Sequence, residues 1–269
     1  MTKKVKLDGL EISGFIKDRQ SRAVRSLIQS RGVQPKLTIV RSAGNPSVDV
    51  YLKVKQRYAD EVGVQIDVIE SEASAVESIL DKLNSDPLVH GIVLQLPFDG
   101  LSDVDSAIKH IDLSKDVDNL SRQTTYDAPT ATAILWLLAA YNVQLEGKGI
   151  VIVGNGRLVG APLLGLLKAS GLDATVIDEN TKNSEEIIME ADILISGVGV
   201  PGRIKAKSIK TGAIVVDAGV ASDNGVLMGD VEDSARERDD ISVTPRIGGV
   251  GPLTVSALFD NVIRASSVN

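Results

Sequence analysis

The chain has 269 residues, a net charge of −7 and no cysteine. The missing cysteines exclude disulfides, thiol catalysis and cysteine-ligated metals, and an acidic chain without a block of Lys or Arg does not fit a nucleic-acid-binding or anionic-membrane-binding surface. Apolar residues make up 43% of the chain but aromatic residues only 3%, so we expect a core of Val, Ile, Leu and Ala.

The first residues and the apolar runs indicate where in the cell the protein is expected to act. The segment from Met1 to Lys6 is basic, but no apolar stretch follows it, so it is not typical of a signal peptide. No apolar run approaches the ~18 residues that a membrane-spanning helix needs. We therefore expect a cytoplasmic enzyme that is long enough for two domains of ordinary size.

The first half of the chain alternates strand-length apolar runs with helical periodicity, and a polar stretch over 112–128 then predicts a surface loop. The alternation predicts right-handed βαβ units and a parallel sheet. The predicted strands cover 36–40, 65–69 and 90–96, and the predicted helices cover 50–62, 73–84 and 104–111.

The second half opens with a helix over 131–141 that is apolar almost all round and must be buried, and a second alternating series follows it. Further helices are predicted over 162–170, 184–189 and 253–265, and strands over 149–153, 174–177, 192–196, 213–216 and 241–243. The predicted fold is α/β with two domains. An N-terminal α/β substrate domain covers 1–128 and regains the C-terminal helix at 253–269, and a Rossmann-like parallel sheet covers 129–252.

A glycine-rich turn joins the strand over 149–153 to the helix that follows. Gly154, Gly156 and Gly160 give the spacing G-x-G-x-x-x-G, one residue longer than the usual dinucleotide fingerprint. A strand before the turn and a helix after it favour a pyrophosphate site at the helix N-terminus. The alternative is a turn that needs glycine only for positive φ.

The next predicted strand ends at Asp178, about 20 residues beyond the loop, where an acidic residue accepts hydrogen bonds from the adenosine ribose. A carboxylate there also repels a 2′-phosphate. Asp178 and the adjacent Glu179 therefore favour NAD over NADP. The alternative is that both are solvated loop charges.

Three further segments carry polar groups suited to chemistry. Tyr51 and Lys55 share one face of a predicted helix, a pattern that alone fits a solvated face equally well. Gln95 ends a buried strand at the edge where α/β sheets bind ligands, and Lys115-Asp116-Val117-Asp118 opens the polar loop.

In this order the segments resemble the methylenetetrahydrofolate dehydrogenase/cyclohydrolase family. The family pattern is Tyr-x-x-x-Lys, Val-Gln-Leu-Pro, Lys-Asp-Val-Asp-Gly, Gly-Arg-Ser-x-x-Val-Gly-x-Pro and Pro-Gly-Gly-Val-Gly-Pro-Met-Thr. The resemblance runs from about Leu7 to the end of the chain. The matching positions are Tyr51 and Lys55, Gln95 to Pro97, Lys115 to Asp118, Gly154 to Pro162, and Gly248 to Thr254.

The resemblance implies roles for these residues. Lys55 would open and hydrate the methenyl bridge and steer charge during hydride loss, with Gln95 hydrogen-bonded near its amine. Tyr51 would stack on or align the folate, and Asp118 would bind the amino and ring N–H edge of the pterin. A second glycine-rich turn near the C-terminus, with Gly248, Gly249 and Pro252, would let the backbone approach the ligands.

The resemblance also implies a set of dinucleotide-binding residues, namely Gly154, Asn155, Gly156, Arg157, Val159, Gly160, Asp178 and Gly199. Asn155 stands where the family has the Arg that serves the 2′-phosphate in NADP-dependent members, and Arg157 lies two residues further on. NADP is the commoner choice in the family, but Asn155 and Asp178 together favour NAD.

The implied activity is oxidation of 5,10-methylenetetrahydrofolate to the methenyl form with NAD or NADP, followed by hydrolysis to 10-formyltetrahydrofolate. The implied assembly is a homodimer. Independently of the resemblance, the acidic composition argues against nucleic-acid and membrane partners, and two isolated histidines, His90 and His110, without any cysteine predict no metal site. Changed positions around the folate site, Asn119, Arg246 and Ile247, leave the balance of the two activities open. The alternatives are a monofunctional NAD-dependent methylenetetrahydrofolate dehydrogenase, a shikimate-type dehydrogenase and a non-catalytic nucleotide-binding protein.

Overall fold

A computed structural model describes residues 4–43, 46–223 and 226–268, and for residues 46–51, 222–223 and 226–227 it describes the backbone only. The chain forms two compact units. The Lys55 unit comprises Gly14–Pro129 and Val255–Asn269, and the Gly154 unit comprises Met1–Ser13 and Thr130–Thr254.

The described helices and strands alternate along most of the chain. The helices are α1 Gly9–Arg31, α2 Pro46–Val62, α3 Val76–Ser85, α4 Val104–Lys109, α5 Pro129–Ala140, α6 Gly160–Ala169, α7 Ser184–Glu190, α8 Ser234–Glu237 and α9 Val250–Val268. The strands are β1 Lys36–Arg41, β2 Gln65–Glu70, β3 Gly91–Leu94, β4 Ile150–Val153, β5 Thr175–Ile177, β6 Ile193–Ser196, β7 Ile214–Asp217, β8 Ala221–Asp223, β9 Val226–Met228 and β10 Ser242–Val243. Short 3₁₀ turns cover Ala73–Ala75 and Ala206–Ser208.

The Lys55 unit contains a sheet of three parallel strands in the order β2-β1-β3. Leu37 and Ile39 of the central strand are fully buried and join a core with Phe259 and Val262 of α9. Residues of opposite parity on β1 and β3 join a second core with α3 and α4. Aliphatic residues on both faces of the strands explain why this sheet is covered on both sides.

The Gly154 unit contains five parallel strands in the order β10-β7-β6-β4-β5. Val153 pairs with Ser196 of β6 and with Ile177 of β5, so these three strands end at one edge of the sheet. The loops that follow them therefore meet at the carboxyl edge, where α/β sheets bind ligands. Strands β8 and β9 form a separate antiparallel hairpin.

The predicted two-domain α/β class with parallel sheets is confirmed, but several elements differ from the prediction, among them helix α8, which was not predicted, and helix α2, which begins at Pro46 and not at the predicted 50. No element was predicted before residue 36, and the structure has the long helix α1 there. The hairpin of β8 and β9 was not predicted either. Helix α9 begins at Val250, before the predicted 253, because the turn from Gly248 runs directly into its first turn.

Helix α5 is apolar on nearly all sides, and Ala131, Ala133, Ile134, Leu137 and Leu138 are fully buried. With 12 residues it is a core helix, since a membrane span needs about 20. Across the described part of the chain, no helix combines the length and the apolar character that crossing a membrane requires.

Candidate functional site

The amine of Lys55 is held by the side chain of Gln95. Lys55 lies on α2 and is half-buried, and its Nζ donates to Oε1 of Gln95 at 2.8 Å. Gln95 follows β3, where its backbone N–H donates to Val40 O at 2.9 Å, and its Nε2 donates to Leu96 O at 3.1 Å. Because an ammonium only donates, these bonds require the amide oxygen of Gln95 to face Lys55.

Lys55 and Asp118 perturb each other electrostatically. Burial lowers the pKa of Lys55 below the ordinary lysine value, and the charge of Asp118 partly opposes this shift. Burial raises the pKa of Asp118, while Lys55 lowers it and Asp116 raises it further. A lysine whose pKa is lowered by desolvation reaches its neutral form nearer to neutral pH, where it can accept a proton.

Lys115, which precedes Asp118, has a structural role. Its Nζ donates to the carbonyl oxygens of Leu83, Asn84 and Asp86 at 2.9, 2.8 and 2.7 Å. These carbonyls lie at and just beyond the end of α3, where the helix no longer supplies the usual i+4 N–H donors. Lys115 therefore caps α3 and is not available to a ligand.

Asp116 is likewise committed to the backbone. It is fully buried and accepts from Leu120 N at 3.0 Å and from Ser121 N at 2.9 Å. Val117 packs in the core, so that a Cβ added to Gly91 would lie 2.9 Å from it. Of this four-residue segment, only Asp118 contributes a side chain to the surroundings of Lys55.

Asn261, which is not among the residues predicted from the sequence, holds the same segment from the C-terminal helix. Its Nδ2 donates to Val117 O at 2.8 Å and to Asp127 O at 2.9 Å. The available signal was a buried polar residue within an otherwise apolar face of α9. Asn119 adopts a left-handed backbone with φ 53°, and its buried Oδ1 has no hydrogen-bond partner among the described residues.

Tyr51 lies one turn before Lys55 on α2, as its spacing predicts. Its side chain lies outside the described part of the chain, so its predicted stacking on the folate stays a prediction.

The glycine-rich loop after β4 fits a pyrophosphate. Gly154 has φ +99°, and a Cβ added to Gly160 would lie 1.8 Å from Gly154 O, so α6 begins directly against the end of the strand. Asn155 and Gly156 are exposed, and a Cβ added to Gly156 would meet nothing within 4 Å. The loop therefore forms an open cradle at the N-terminus of a 10-residue helix, which is the arrangement that binds phosphates.

Asp178 follows β5 and lies beside this loop, since Gly154 N donates to Ile177 O at 2.7 Å. Its Oδ1 accepts from Thr181 Oγ1 at 2.8 Å and from Asn180 N at 3.0 Å. The bond from the Thr181 hydroxyl and the bond from the Asn180 amide lower the pKa of Asp178. An ionised carboxylate is thereby fixed at the carboxyl edge of the sheet.

The loop after β6 packs against the glycine-rich loop. Gly199 has φ +71°, and a Cβ added to Gly197 would lie 2.6 Å from Cγ1 of Val159. Arg157 is half-buried within the glycine-rich loop. The structure thus brings the predicted dinucleotide-binding residues of both loops to one edge of the five-stranded sheet.

The C-terminal glycine-rich turn belongs to the Gly154 unit. Gly248 has φ +87°, and its carbonyl accepts from Gly9 N at 2.8 Å and from Leu10 N at 3.1 Å. Gly249 precedes α9, and Pro252 lies in the first turn of that helix, where proline is tolerated. Arg246, next to this turn, donates to Asp233 at 3.2 Å. The predicted contacts of Gly248, Gly249 and Pro252 with a ligand stay predictions.

Both histidines have protein partners. His90 is buried and accepts from Lys36 N at 3.3 Å, and half-buried His110 contacts Asp81 at 2.9 Å. Within the described ranges, no group of three or more His, Asp or Glu residues is arranged to hold a metal ion.

Comparison with known proteins gives two family matches. Residues 7–118 match the model of the tetrahydrofolate dehydrogenase/cyclohydrolase catalytic domain. Residues 128–269 match the model of the tetrahydrofolate dehydrogenase/cyclohydrolase NAD(P)-binding domain. Together the two matches cover nearly the whole chain.

Relatives match along the same length. The bifunctional protein FolD of Lactobacillus helveticus is 34% identical over 272 residues, which cover 96% of each chain. The crystal structure of the bifunctional enzyme FolD from Campylobacter jejuni has a TM-score of 0.90 at 28% identity and covers 98% of this chain and 99% of that one. The Trypanosoma brucei FolD structure, complexed with NADP cofactor and inhibitor, has a TM-score of 0.91 at 29% identity and covers 100% of this chain and 99% of that one.

Proposed function

Because this chain belongs to the tetrahydrofolate dehydrogenase/cyclohydrolase family, we propose which of its residues carry out the two reactions. The protein is a bifunctional enzyme of one-carbon metabolism. It oxidises 5,10-methylenetetrahydrofolate to the methenyl form with NAD(P), and it hydrolyses the methenyl form to 10-formyltetrahydrofolate. We favour this pair of activities over the three alternatives, which are a monofunctional dehydrogenase, a shikimate-type dehydrogenase and a non-catalytic nucleotide-binding protein.

We assign the chemistry to Lys55 because its amine is hydrogen-bonded to Gln95 and its pKa responds to the charge of Asp118. In its neutral form the Lys55 amine accepts a proton from the water that adds to the cationic bridge carbon. The resulting ammonium then returns a proton to the ring nitrogen as the bond from that nitrogen to the bridge carbon breaks, and the added hydroxyl loses its remaining proton to solvent as it becomes the formyl C=O. Gln95 keeps the amine aimed at the substrate throughout.

The same lowered pKa of Lys55 serves the oxidation. Loss of hydride from the methylene carbon leaves a positive charge on the bridge, and a neutral amine repels that charge less than an ammonium. Asp118 binds the amino and ring N–H edge of the pterin, which presents paired donors to a carboxylate. Tyr51 aligns the folate from the adjacent turn of α2.

We assign folate binding and catalysis to the Lys55 unit and dinucleotide binding to the Gly154 unit. When bound, the dinucleotide supplies the hydride acceptor. The cradle of Gly154, Gly156 and Gly160 receives the pyrophosphate, and Asp178 receives the ribose hydroxyls. Asn155, Arg157, Val159 and Gly199 complete this site.

Two assays on the purified protein test the function. Methylenetetrahydrofolate is supplied with NAD or with NADP and the reduced nicotinamide is recorded, while methenyltetrahydrofolate alone is supplied in parallel and its hydrolysis is followed. We expect reduction and hydrolysis above the buffer rate. No reduction with either cofactor would refute the proposed function, and reduction without hydrolysis would select the monofunctional alternative.

We propose that NAD is preferred over NADP. The carboxylate of Asp178 repels a 2′-phosphate, and no Arg stands at position 155 to attract one. Since like charges in contact cost several kcal/mol, we expect kcat/KM with NAD to exceed that with NADP by at least about tenfold. Replacing Asp178→Asn removes the charge and is expected to raise kcat/KM with NADP by about tenfold.

The matched control is Asp173→Asn, because this exposed aspartate precedes β5 whereas Asp178 follows it. The control removes the same charge at the opposite end of the strand and should leave the cofactor ratio unchanged. Equal use of NADP by the unaltered enzyme would contradict the role of Asp178, as would an equal shift in both variants.

The hydrolysis is expected to depend on the pKa of Lys55. Because the neutral amine is the active form, kcat should rise with pH, with a midpoint below the ordinary lysine pKa of about 10.4. Asp118 raises the pKa of Lys55, so Asp118→Asn is expected to move the midpoint to lower pH. Buffer-corrected kcat is measured at saturating substrate. A midpoint that stays in place or moves upward would contradict the coupling.

We further propose that the enzyme is a cytoplasmic homodimer. The family resemblance supports the dimer, and the acidic composition without a membrane-spanning helix in the described residues supports a protein that acts away from membranes. Its partners are the one-carbon derivatives of tetrahydrofolate.

A further inference from the structure

A fully buried carboxylate lies beneath the loop that follows β6. Asp230 Oδ2 accepts from Ser196 Oγ at 2.6 Å and from Val198 N at 2.8 Å, and Oδ1 accepts from Val200 N at 2.8 Å. Both oxygens are therefore occupied, and two of the three donors are backbone amides of the same loop. One side chain thus sets the path of the backbone from Val198 to Val200.

That loop is a wall of the dinucleotide cradle. Gly197 N donates to Val153 O at 3.1 Å, which ties the start of the loop to the end of β4. A Cβ added to Gly154 would lie 2.6 Å from Cγ1 of Val198. The side chains of Val198 and Val200 remain 36% and 52% exposed, so the loop presents apolar surface at the carboxyl edge of the sheet.

A second buried carboxylate fixes the backbone of the first. Asp217 Oδ1 accepts from Asp230 N at 3.0 Å, and its Oδ2 accepts from Arg236 Nη2 at 2.7 Å and from Val231 N at 3.1 Å. Each carboxylate also packs against a glycine: a Cβ added to Gly219 would lie 2.0 Å from Cγ of Asp230, and one added to Gly229 would lie 2.1 Å from Oδ2 of Asp217. Burying two carboxylates with one guanidinium carries a large desolvation free energy, and apolar residues would stabilise a core better.

We propose that Asp230 is a positioning residue for dinucleotide binding, holding the Val198–Val200 backbone in the shape that the dinucleotide contacts. This role rests on the assignment of dinucleotide binding to the Gly154 unit. It acts through the loop, because a fully buried carboxylate cannot touch the ligand itself.

The test is Asp230→Asn in the full chain. An amide has one acceptor oxygen and would turn its own N–H groups towards one set of donors. We expect the Kd for NAD, measured by calorimetry on the enzyme without folate, to rise by about tenfold, ~1.4 kcal/mol. Amide hydrogen exchange at Val198 and Val200 should accelerate. Methenyl hydrolysis without dinucleotide should stay within about twofold of the unaltered enzyme.

Asp192→Asn is the matched control, because Asp192 also accepts from a backbone amide, that of Gly149, but at the opposite end of β6. It should leave the Kd for NAD unchanged. An unchanged Kd in folded Asp230→Asn would overturn the proposal, as would an equal rise in the control.

If circular dichroism shows that Asp230→Asn does not fold, the Ser196→Ala variant tests the proposal in its place. It removes one of the three bonds to Asp230, and a rise in the Kd for NAD of about threefold is expected. An unchanged Kd there would overturn the role of Asp230. Failure of the unaltered enzyme to bind NAD or NADP would instead refute the assignment of dinucleotide binding, and this role with it.

Discussion

Replacing Lys55 by methionine is expected to lower the rate of methenyltetrahydrofolate hydrolysis by about 100- to 10,000-fold, the usual contribution of a general acid–base group. Methionine keeps the unbranched shape of the side chain but can neither accept nor return a proton. The measurement is the buffer-corrected hydrolysis rate at saturating substrate.

The substitution should leave the fold intact. Lys55 is half-buried on the surface of α2, and its described hydrogen bond goes to the side chain of Gln95 alone. The apolar stem of methionine suits the desolvated surroundings that lower the pKa of Lys55. Far-UV circular dichroism and urea unfolding check this expectation.

Lys53→Met is the matched control, because Lys53 lies on the same helix, is exposed, and points to a different face two residues away. We expect it to retain the hydrolysis rate. Full hydrolysis by Lys55→Met would show that the amine of Lys55 takes no part in the reaction. Equal losses in both variants would mean that helix α2 had been damaged instead.

Replacing Asp118 by asparagine should raise the KM for methylenetetrahydrofolate by about 10- to 100-fold, since hydrogen bonds to a charged group contribute about 1.5–3 kcal/mol. A carboxylate matches the paired donors of the pterin edge with two acceptors, whereas an amide keeps one acceptor and opposes the other donor with its own N–H. Initial rates over a range of folate concentrations measure the change.

The control for this substitution is Asp18→Asn on α1, which removes the same charge from an exposed side chain of the same unit. It should leave the KM for folate unchanged. Dinucleotide binding, measured separately, should be the same in both variants. An unaltered folate KM in Asp118→Asn would contradict the assignment of the pterin edge to Asp118.

The alternation of strands and helices could be predicted because the apolar residues form short runs in the strands and recur with helical spacing in the helices. Helix α1 could not be predicted in this way. Its buried face includes the polar residues Ser13 and Gln20, whereas Leu10 and Phe15 are 64% and 71% exposed. Gln20 is satisfied by Ser256 O at 2.8 Å and by the hydroxyl of Tyr58 at 2.7 Å. The buried face of α1 is therefore held partly by hydrogen bonds to residues that are distant in the sequence. It lacks the apolar periodicity from which a helix is predicted.

The candidate site could be predicted in part. The family resemblance singled out Lys55, Gln95 and Asp118, but the sequence alone gives no physical reason to prefer Asp118 over Asp116. Only the fold shows that Asp116 is used up by the amides of Leu120 and Ser121. For the same reason the sequence indicated no role for Asp217 and Asp230, which the fold places beneath the loop that follows β6.

The central claim is that one chain removes a hydride from the one-carbon bridge and then hydrolyses that bridge. The most direct test is a single incubation of NAD with methylenetetrahydrofolate that carries deuterium on the bridge carbon. We predict that the reduced nicotinamide contains deuterium and that 10-formyltetrahydrofolate forms faster than in buffer. Unlabelled reduced nicotinamide, or methenyltetrahydrofolate that accumulates and decays only at the buffer rate, would contradict the claim.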